Sequence, residues 1–403
     1  MTEVVIVKYG EIALKGANRP VFEKTLLRNL RWALRDLPEA RVTKEHGRFR
    51  IEGADTAAIQ SRATRVFGVV GTSVARAVAP IYEDIALAAE EMLGSAVVTG
   101  KTTFKVESRR SDKSFPLTSP ELSKRLGAHL LAAHPQVKVD VHQPQVTINV
   151  EVRANVAYVY ADTLQGPGGL PVGVSSQGLL LISGGIDSPV AGWLAMRRGI
   201  RLAAIHFHSI PYTSERAQKK VVELTEILAA YSGDIPLYMV RFTEAQLELQ
   251  AKAPPALMMT LMRRLMLRVA TELAAQKGIP ALITGESVGQ VASQTLESLA
   301  VINAVTCTPI LRPLITYDKS EIMALARRIG TYETSILPYE DCCTLFLPRH
   351  PETRPTMERV EEAEAKLDIQ GLVQDCLSSV EEIMSQPHTA ASLYEGGPLI
   401  TFS

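Results

Sequence analysis

The sequence lacks the features of membrane, secreted and disulfide-bonded proteins. No run of about eighteen apolar residues occurs in its 403 positions, so no membrane-spanning helix is predicted. The N-terminus enters a strand-like pattern directly, without the apolar core of a signal peptide. Only four cysteines are present, at positions 307, 342, 343 and 376, which are too few for a disulfide scaffold and form no CxxC metal motif. These absences favour a globular protein of the cytoplasm.

The chain also has no net charge, because 43 Lys and Arg balance 43 Asp and Glu. The balance is uneven along the chain: residues 1–160 hold 23 basic against 17 acidic side chains, and residues 161–403 hold 20 against 26. A basic front half suits contact with a phosphate backbone, although an excess of this size also occurs on solvated surfaces. Charge alone therefore leaves both interpretations open.

The first 160 residues predict two small α+β domains. A strand pattern over 2–8, an amphipathic helix opened by Pro20, a strand over 48–52 and a helix over 55–65 predict a ferredoxin-like domain at residues 1–60. The apolar stripe of the first helix includes Leu26 and Leu30. A similar alternation of strands and helices, with a basic loop after a strand at 102–107, predicts a second α+β domain at 61–163.

A proline- and glycine-rich string, GPGGLPVG at 166–173, predicts a linker over residues 164–177. Beyond it, strand patterns at 179–182, 201–207, 236–241 and 280–284 alternate with helical segments. That alternation predicts an α/β domain with a doubly wound parallel sheet over 178–385, followed by a short polar tail at 386–403. At 403 residues the length is compatible with two to four domains.

The string SGGIDS at 183–188 lies between an apolar strand and a helix that has proline in its first turn. Backbone N–H groups around Gly184 and Gly185, the hydroxyls of Ser183 and Ser188, and the positive end of the helix dipole all suit a polyphosphate. The loop has neither the Walker A spacing nor the dinucleotide-binding GxGxxG spacing. Because glycine, serine and aspartate are also common turn residues, an unliganded strand-to-helix turn stays open at this point.

Ligands of doubly wound sheets bind beyond the carboxyl ends of the strands, which directs attention to two further strand ends. His206 and Phe207 end the second strand, where a histidine is more often a satisfied core residue than a ligand, so a nucleotide contact by its backbone or by Phe207 stays open. Gly285 follows the fourth strand and permits a close backbone approach, and Gln294 offers a donor and an acceptor for an adenine edge.

Two arginines, one lysine and two cysteines are further candidates for functional residues. Arg263 and Arg264 interrupt a helix rich in Met and Leu, so each either extends to solvent or reaches a phosphate. Asp318 and Glu321 fit a capping box that places Lys319 in the first helical turn, where a lysine opposes the helix dipole and so indicates a requirement other than stability. Cys342 and Cys343 follow two acidic residues, which raise a thiol pKa, so a structural pair is the simplest interpretation from composition.

These strings together resemble a known family. SGGIDS is similar to the signature of the PP-loop ATP pyrophosphatases. SGGIDSP, IHFHS, TGESVGQVASQT, LRPLITYDKSEI and PYEDCCTLFLP occur in the order and spacing of the tRNA 4-thiouridine synthetase family, which is also tied to thiamine biosynthesis. YGEIALKGANRPVFE resembles its N-terminal ferredoxin-like domain, and SRRSDKSFPLTSPEL resembles its THUMP domain. The resemblance implies a PP-loop ATP pyrophosphatase domain preceded by these two RNA-binding domains.

The resemblance also implies roles for individual residues. Asp187 and Lys319 match residues that the family needs for adenylation, and Cys342 matches its sulfur-handling cysteine. Arg109, Arg110 and Lys113 fall in the segment implied to bind the acceptor end of tRNA. No dedicated metal site is implied, since Mg²⁺ would be held mainly by ATP. The implied ATP contacts are Leu181, Ile182, Ser183, Gly184, Gly185, Asp187, Ser188, His206, Phe207, Arg263, Gly285 and Gln294.

The implied reaction is ATP-dependent 4-thiolation of tRNA uridine 8, with sulfur transfer toward the thiamine thiazole as a second role. Longer family members carry a rhodanese-like domain, and this sequence stops before one, so we expect a cysteine desulfurase to supply persulfide either directly or through Cys342. Another tRNA thiolase, such as a 2-thiouridine enzyme, and a non-catalytic tRNA- and ATP-binding module are the alternatives. The sequence leaves open whether Cys342 or Cys343 carries sulfur and whether the protein is a homodimer.

Overall fold

A computed structural model of the chain describes residues 1–339 and 351–387. These residues form two compact units, 1–169 and 170–387, which are described separately below. Among the described helices, none is both long and apolar enough to cross a membrane. Cys342, Cys343 and residues 388–403 of the polar tail lie outside the described residues.

The first unit is built on one mixed sheet of nine strands, in the order β2-β3-β1-β4-β8-β7-β5-β6, with β9 paired to β4. β1 is antiparallel to both β3 and β4, whereas β5 is parallel to β6 and β7. The elements are, in chain order, β1 (Thr2–Tyr9), α1 (Arg19–Ala33), β2 (Arg41–Glu45), β3 (Arg48–Glu52), α2 (Thr56–Thr64), β4 (Val69–Val78), α3 (Tyr82–Val98), β5 (Thr103–Arg110), α4 (Ser119–Ala133), β6 (Lys138–Val139), β7 (Val146–Val152), β8 (Ala157–Tyr160) and β9 (Leu164–Gln165).

Two large apolar cores in this unit pack against its helices. Leu26 and Leu30 of α1 are fully buried and pack with Val5 and Val7 of β1, as the predicted apolar stripe requires. α3 and α4 cover a second core over β5, β7 and β8. The sheet runs through β4 from one core to the other, and the boundary expected near residue 60 stays a prediction.

The second unit contains a six-stranded sheet in the order β14-β13-β10-β11-β12-β15. All its pairs are parallel except that of the edge strand β15 with β12. The elements are β10 (Gln177–Leu181), α5 (Asp187–Arg197), β11 (Arg201–His208), α6 (Glu215–Ser232), β12 (Ile235–Arg241), α7 (Thr243–Lys252), α8 (Met258–Gln276), β13 (Leu282–Ile283), α9 (Leu296–Asn303), β14 (Ile310–Leu311), α10 (Lys319–Ile329), α11 (Tyr332–Ser335), α12 (Met357–Glu364), α13 (Ile369–Ser378) and β15 (Glu381–Ser385).

Side-chain alternation along the strands places helices on both faces of this sheet. Leu179 and Ile205 belong to the core formed with α8, whereas Leu180 and Leu202 approach Gly192 of α5 on the other side. The prediction of a doubly wound parallel sheet is therefore confirmed. The antiparallel β15 was not predicted, because a short polar edge strand carries no run of buried apolar residues.

Candidate active site

The strand order reverses between β10 and β13, since the chain proceeds from β10 to β11 and β12 on one side and returns to β13 and β14 on the other. Such a reversal opens a crevice at the carboxyl ends of the strands. A cavity of about 240 Å³ lies there. It is lined by Leu181, Ile182, Ser183, Asp187, Ser188, Ile205, His206, Phe207, Arg263, Met266, Leu267, Thr284, Gly285, Glu286, Gln294 and Ile302.

The lining includes every residue predicted to bind ATP except Gly184 and Gly185. The structure thus brings together positions from four separate sequence segments, and their individual contacts with ATP stay predictions. His206 is buried, and its Nδ1 lies 3.0 Å from the carbonyl oxygen of Ile182, to which it donates. Phe207 packs edge-on against Phe242 with ring centroids 5.4 Å apart. His206 is therefore both a satisfied core residue and a wall of the cavity.

The loop between β10 and α5 is closed by its two serines. The backbone N–H of Ser183 donates to the hydroxyl of Ser188 at 2.9 Å, and that hydroxyl lies 3.3 Å from the Ser183 carbonyl oxygen. Among the described residues, no side chain caps the N-terminus of α5, which leaves its first turn suited to an anion. Gly285 lies against this turn, because a Cβ placed there would stand 2.7 Å from the Ser188 nitrogen.

Asp187 is held from two sides. Nζ of Lys319 lies 2.7 Å from its Oδ1, and Nε2 of Gln290 donates to its Oδ2 at 2.7 Å. Lys319 is the first residue of α10, and Asp318 and Glu321 cap that helix reciprocally, as predicted. This ion pair is a requirement other than stability, and it explains the lysine in the first turn of α10. The sequence could not show it, because Asp187 stands 132 residues away.

Arg263 and Glu286 belong to a second charged group in the lining of the cavity. Glu286 is buried and accepts from Arg263 Nη1 and Arg312 Nε, both at 2.7 Å, and from the Thr284 hydroxyl at 2.8 Å. Two cations against one carboxylate leave this group with a net positive charge. Such a group suits the anionic part of a nucleotide.

The neighbouring Arg264 has neither of the roles considered from the sequence. It is buried, and its guanidinium makes two hydrogen bonds to Glu364 of α12, at 2.8 and 2.6 Å. The hydrogen bonds of Arg264 lower the pKa of Glu364, although burial opposes them. Arg264 thus joins α8 to α12 and reaches neither solvent nor the cavity.

Gln294 is 6% exposed and lines the cavity. Among the described residues, its Oε1 has no hydrogen-bond partner. A buried acceptor without a partner is costly, so the geometry favours a ligand that donates to it. An adenine amino group is such a donor.

The predicted RNA-binding residues lie in the first unit. Arg109 and Arg110 end β5 and do not belong to the loop that was expected to carry them, whereas Lys113 lies in the loop that follows. Arg109 and Lys113 are exposed. Arg110 donates to the Phe115 carbonyl oxygen at 2.8 Å and thereby shapes this loop.

The two described thiols differ in exposure. Cys376 is buried, and desolvation together with nearby carboxylates raises its pKa to about 12. Cys307 is exposed. Within residues 1–339 and 351–387, no cluster of His, Cys, Asp and Glu could hold a metal ion. Because Cys342 lies outside the described residues, its sulfur-handling role stays a prediction.

Sequence reasoning missed Glu286 and Gln290. Both lie in the polar string that follows β13, where only Gly285 and Gln294 were selected. The available signal was an acidic residue shortly after the end of a predicted strand, in a domain whose helix carries arginines that need a partner. Their partners are 23 and 26 residues away for Glu286 and 103 residues away for Gln290, so pairing was not readable from spacing.

Comparison with known proteins finds family models that match three successive segments of the chain. Residues 173–369 match the family model described as Thiamine biosynthesis protein (ThiI), residues 4–73 match the ThiI ferredoxin-like domain, and residues 81–162 match the THUMP domain.

Among curated relatives, a probable tRNA sulfurtransferase of Moorella thermoacetica is 51% identical, over 95% of this chain and 98% of the relative. A second, from Caldanaerobacter subterraneus subsp. tengcongensis, is 48% identical over 95% and 100%. Among solved structures, a crystal structure of a 4-thiouridine synthetase in complex with RNA and ATP matches with a TM-score of 0.88 and 36% identity, covering 96% of this chain and all of the other.

Proposed function

The chain belongs to the Thiamine biosynthesis protein (ThiI) family and is an enzyme of that type, and we propose that it thiolates tRNA. In this proposal it converts the uridine at position 8 to 4-thiouridine and consumes ATP. The similarity to a 4-thiouridine synthetase bound to RNA and ATP supports the choice of product and substrates. The observation that carries the proposal is the Asp187–Lys319 pair at the start of α5, beside a cavity whose walls suit a nucleotide.

The proposed first step is adenylation. The O4 of uracil attacks the α phosphate of ATP, the bond to the β phosphate breaks, and pyrophosphate leaves. Lys319 and the N–H groups at the start of α5 would stabilise the negative charge that develops on the departing phosphates. Arg263, which Glu286 holds at the cavity wall, would meet another part of the triphosphate. Gln294 would accept from the adenine amino group.

The proposed second step replaces oxygen by sulfur. A sulfur nucleophile attacks C4 of the adenylated uracil, and AMP leaves with the former O4. A cysteine desulfurase would supply the sulfur as a persulfide on Cys342, and the outer sulfur of that persulfide would be the nucleophile. An external thiol would then attack the Sγ of Cys342, so that the S–S bond breaks and sulfur stays on C4, and a second thiol would reduce the disulfide formed with Cys342. The same delivery would serve sulfur transfer toward the thiamine thiazole, and the description of the matching family supports that role.

Asp187 is suited to hold Mg²⁺ jointly with the phosphates, because a carboxylate next to a polyphosphate needs a cation between them. When bound, Mg²⁺ would neutralise phosphate charge. Glu286 does not fit this role, since two arginines and a threonine already occupy its oxygens.

The first unit would bind the tRNA acceptor end through Arg109, Arg110 and Lys113. The basic excess of residues 1–160 and the exposure of Arg109 and Lys113 support this assignment. We further propose that the enzyme acts in the cytoplasm, where tRNA and ATP are available, and that it forms a homodimer.

The test is exchange of labelled pyrophosphate into ATP in the presence of tRNA. Asp187→Ala should lower the exchange rate by about 100-fold or more, because it removes the group that organises charge at the phosphates. Asp234→Ala, an exposed position of the same unit, is the control and should exchange like wild type. Exchange by Asp187→Ala at the wild-type rate would falsify the assignment.

The product distinguishes the alternatives. Mass spectrometry of nucleosides from tRNA incubated with protein, ATP and sulfide should show 4-thiouridine. A 2-thiouridine signal would identify another tRNA thiolase. ATP binding without release of AMP would identify a binding module.

A further inference from the structure

The segment 286–294 joins two residues that line the cavity, Glu286 and Gln294, and a residue between them has no role so far. Gln290 donates from its side-chain amide to Oδ2 of Asp187 at 2.7 Å. We propose that Gln290 is a positioning residue that holds Asp187 for adenylation and couples its position to recognition of adenine by Gln294. The inference rests on the proposed function and deepens it.

The segment that carries Gln290 is closed on itself. The backbone N–H of Gly289 donates to the Gln294 carbonyl oxygen at 2.9 Å, and the N–H of Gln294 donates to the Val291 carbonyl oxygen at 2.9 Å. Gly289 has a φ of +77°, a conformation that favours glycine and permits this tight turn. Because these hydrogen bonds join residues 289 and 294 directly, a shift of Gln294 is transmitted to the backbone next to Gln290.

The same segment is also attached to the chain that leads to Lys319. The Ser287 hydroxyl donates to the Tyr317 carbonyl oxygen at 2.7 Å, and the Val288 N–H donates to the Ile315 carbonyl oxygen at 3.1 Å. The two residues that hold Asp187, Gln290 and Lys319, are therefore carried by backbone segments that are hydrogen-bonded to each other. This arrangement fixes the carboxylate relative to both.

The two partners of Asp187 differ in charge, which gives them different tasks. Lys319 is cationic, and arriving phosphates compete with Asp187 for its ammonium group. Gln290 is neutral, so phosphates attract it much less, and its hydrogen bond to Oδ2 persists while Lys319 turns to the phosphates. The amide also leaves the negative charge of Asp187 intact for a cation. Gln290 thus orients the carboxylate without neutralising it.

The other end of the segment is suited to sense the base. Gln294 is buried in the cavity wall with an Oε1 that lacks a partner among the described residues. A donor on the base that engages this oxygen would fix Gln294 and, through the turn from 289 to 294, the position of Gln290. Adenine would then raise the fraction of molecules in which Asp187 is correctly placed.

The test compares Gln290→Met, which keeps side-chain length without the donor, with wild type and with Gln294→Met. Pyrophosphate exchange gives kcat and KM for ATP, and fluorescence titration with an ATP analogue gives the dissociation constant. For Gln290→Met we expect kcat to fall by about 10-fold or more, while the dissociation constant changes less than about 3-fold. Gln290→Glu, which places a carboxylate against Asp187, should lose more activity than Gln290→Met.

The double variant tests the coupling. If Gln294 acts on kcat through Gln290, Gln294→Met should lower kcat in the wild-type background and leave it unchanged in the Gln290→Met background. Independent, multiplicative losses would overturn the coupling. A wild-type kcat for Gln290→Met would overturn the positioning role, as would a loss confined to the dissociation constant.

Failure of the inference is distinguishable from failure of the proposed function. Wild-type protein that exchanges no pyrophosphate with tRNA present would overturn both. Exchange by wild type with equal exchange by Gln290→Met overturns this inference alone. Exposed Gln250 of α7 provides a matched control, because Gln250→Met changes the same type of side chain outside the cavity and should retain wild-type kcat.

Discussion

Arg263 and Glu286 form an ion pair across the wall of the cavity, with Nη1 of the arginine 2.7 Å from Oε1 of the glutamate. The pair explains how an arginine is kept in a helix whose other cavity-facing residues are apolar. Arg312 shares the same carboxylate at 2.7 Å, so Glu286 compensates two cations at once. The position of Arg263 therefore depends on a residue that binds no ligand in the proposed mechanism.

Glu286→Gln should destabilise the second unit, because two arginines lose their shared counter-charge at a site where Glu286 is 7% exposed. We expect the free energy of unfolding to fall by about 2 kcal/mol. This loss is smaller than for a fully buried pair, because both arginines retain some solvent contact. Thermal unfolding with and without ATP measures it, and ATP should recover part of the loss.

Glu297→Gln is the control for this change. Glu297 lies 3.8 Å from Arg354 and both are largely exposed, so its loss should cost less than about 0.5 kcal/mol. Equal losses for Glu286→Gln and Glu297→Gln would contradict the role given to Glu286.

Gly285→Ala should abolish ATP binding or weaken it by at least about 10-fold. A Cβ at this position would stand 2.7 to 2.9 Å from backbone atoms of Asp187 and Ser188, which must move and distort the start of α5. Isothermal titration with ATP measures the effect. Gly127→Ala, where a Cβ meets nothing within 4 Å, should bind ATP like wild type, and normal binding by Gly285→Ala would refute the close approach.

Acid should destabilise the first unit through Glu23. Burial raises the pKa of this group, but hydrogen bonds from Lys44, Tyr9 and Arg19 outweigh burial and lower the pKa to about 2 from the ordinary value of 4.5. Because the folded-state pKa is depressed, the stabilisation is fully present above about pH 4.5 and is lost as the pH falls toward 2.

Glu23→Gln tests this linkage, because the variant cannot titrate at that position. The difference in unfolding temperature between wild type and variant should be largest near neutral pH and should shrink below pH 4.5. A difference that stays constant down to pH 3 would contradict the prediction. Glu39→Gln, at an exposed position, is the matched control.

Arg109→Ala should weaken tRNA binding without lowering the unfolding temperature, since Arg109 is exposed at the end of β5. One lost phosphate contact reduces the slope of log affinity against log salt by about one. Filter binding over a range of salt concentrations measures the slope. Exposed Lys219 of the second unit provides the control Lys219→Ala, and an unchanged slope for Arg109→Ala would remove Arg109 from the interface.

The sequence predicted most of the fold because its signals are local. The apolar stripe containing Leu26 and Leu30, the run from Leu179 to Ile182 and the capping box at Asp318 each depend on neighbours in the chain, and each has its expected structural effect. The edge strand β15 was missed because a strand that pairs with a single neighbour needs no pattern of buried apolar residues.

The sequence by itself determined the types of residue available for nucleotide chemistry and the family to which they belong. The Gly-Ser loop before α5, Lys319 in a first helical turn and Gln294 after a strand end are local features, and their chemistry follows from residue type and capping.

Only the tertiary structure decided which of these residues act together. Asp187 meets Lys319 and Gln290 over separations of 132 and 103 residues, and Glu286 selects Arg263 while Arg264 turns to Glu364. Adjacent arginines on one helix point in directions about 100° apart, so a difference of one position decides between the cavity and the core. The physical reason is that ion pairs and hydrogen bonds depend on distances of about 3 Å, which sheet order and helix packing set and which sequence spacing does not encode.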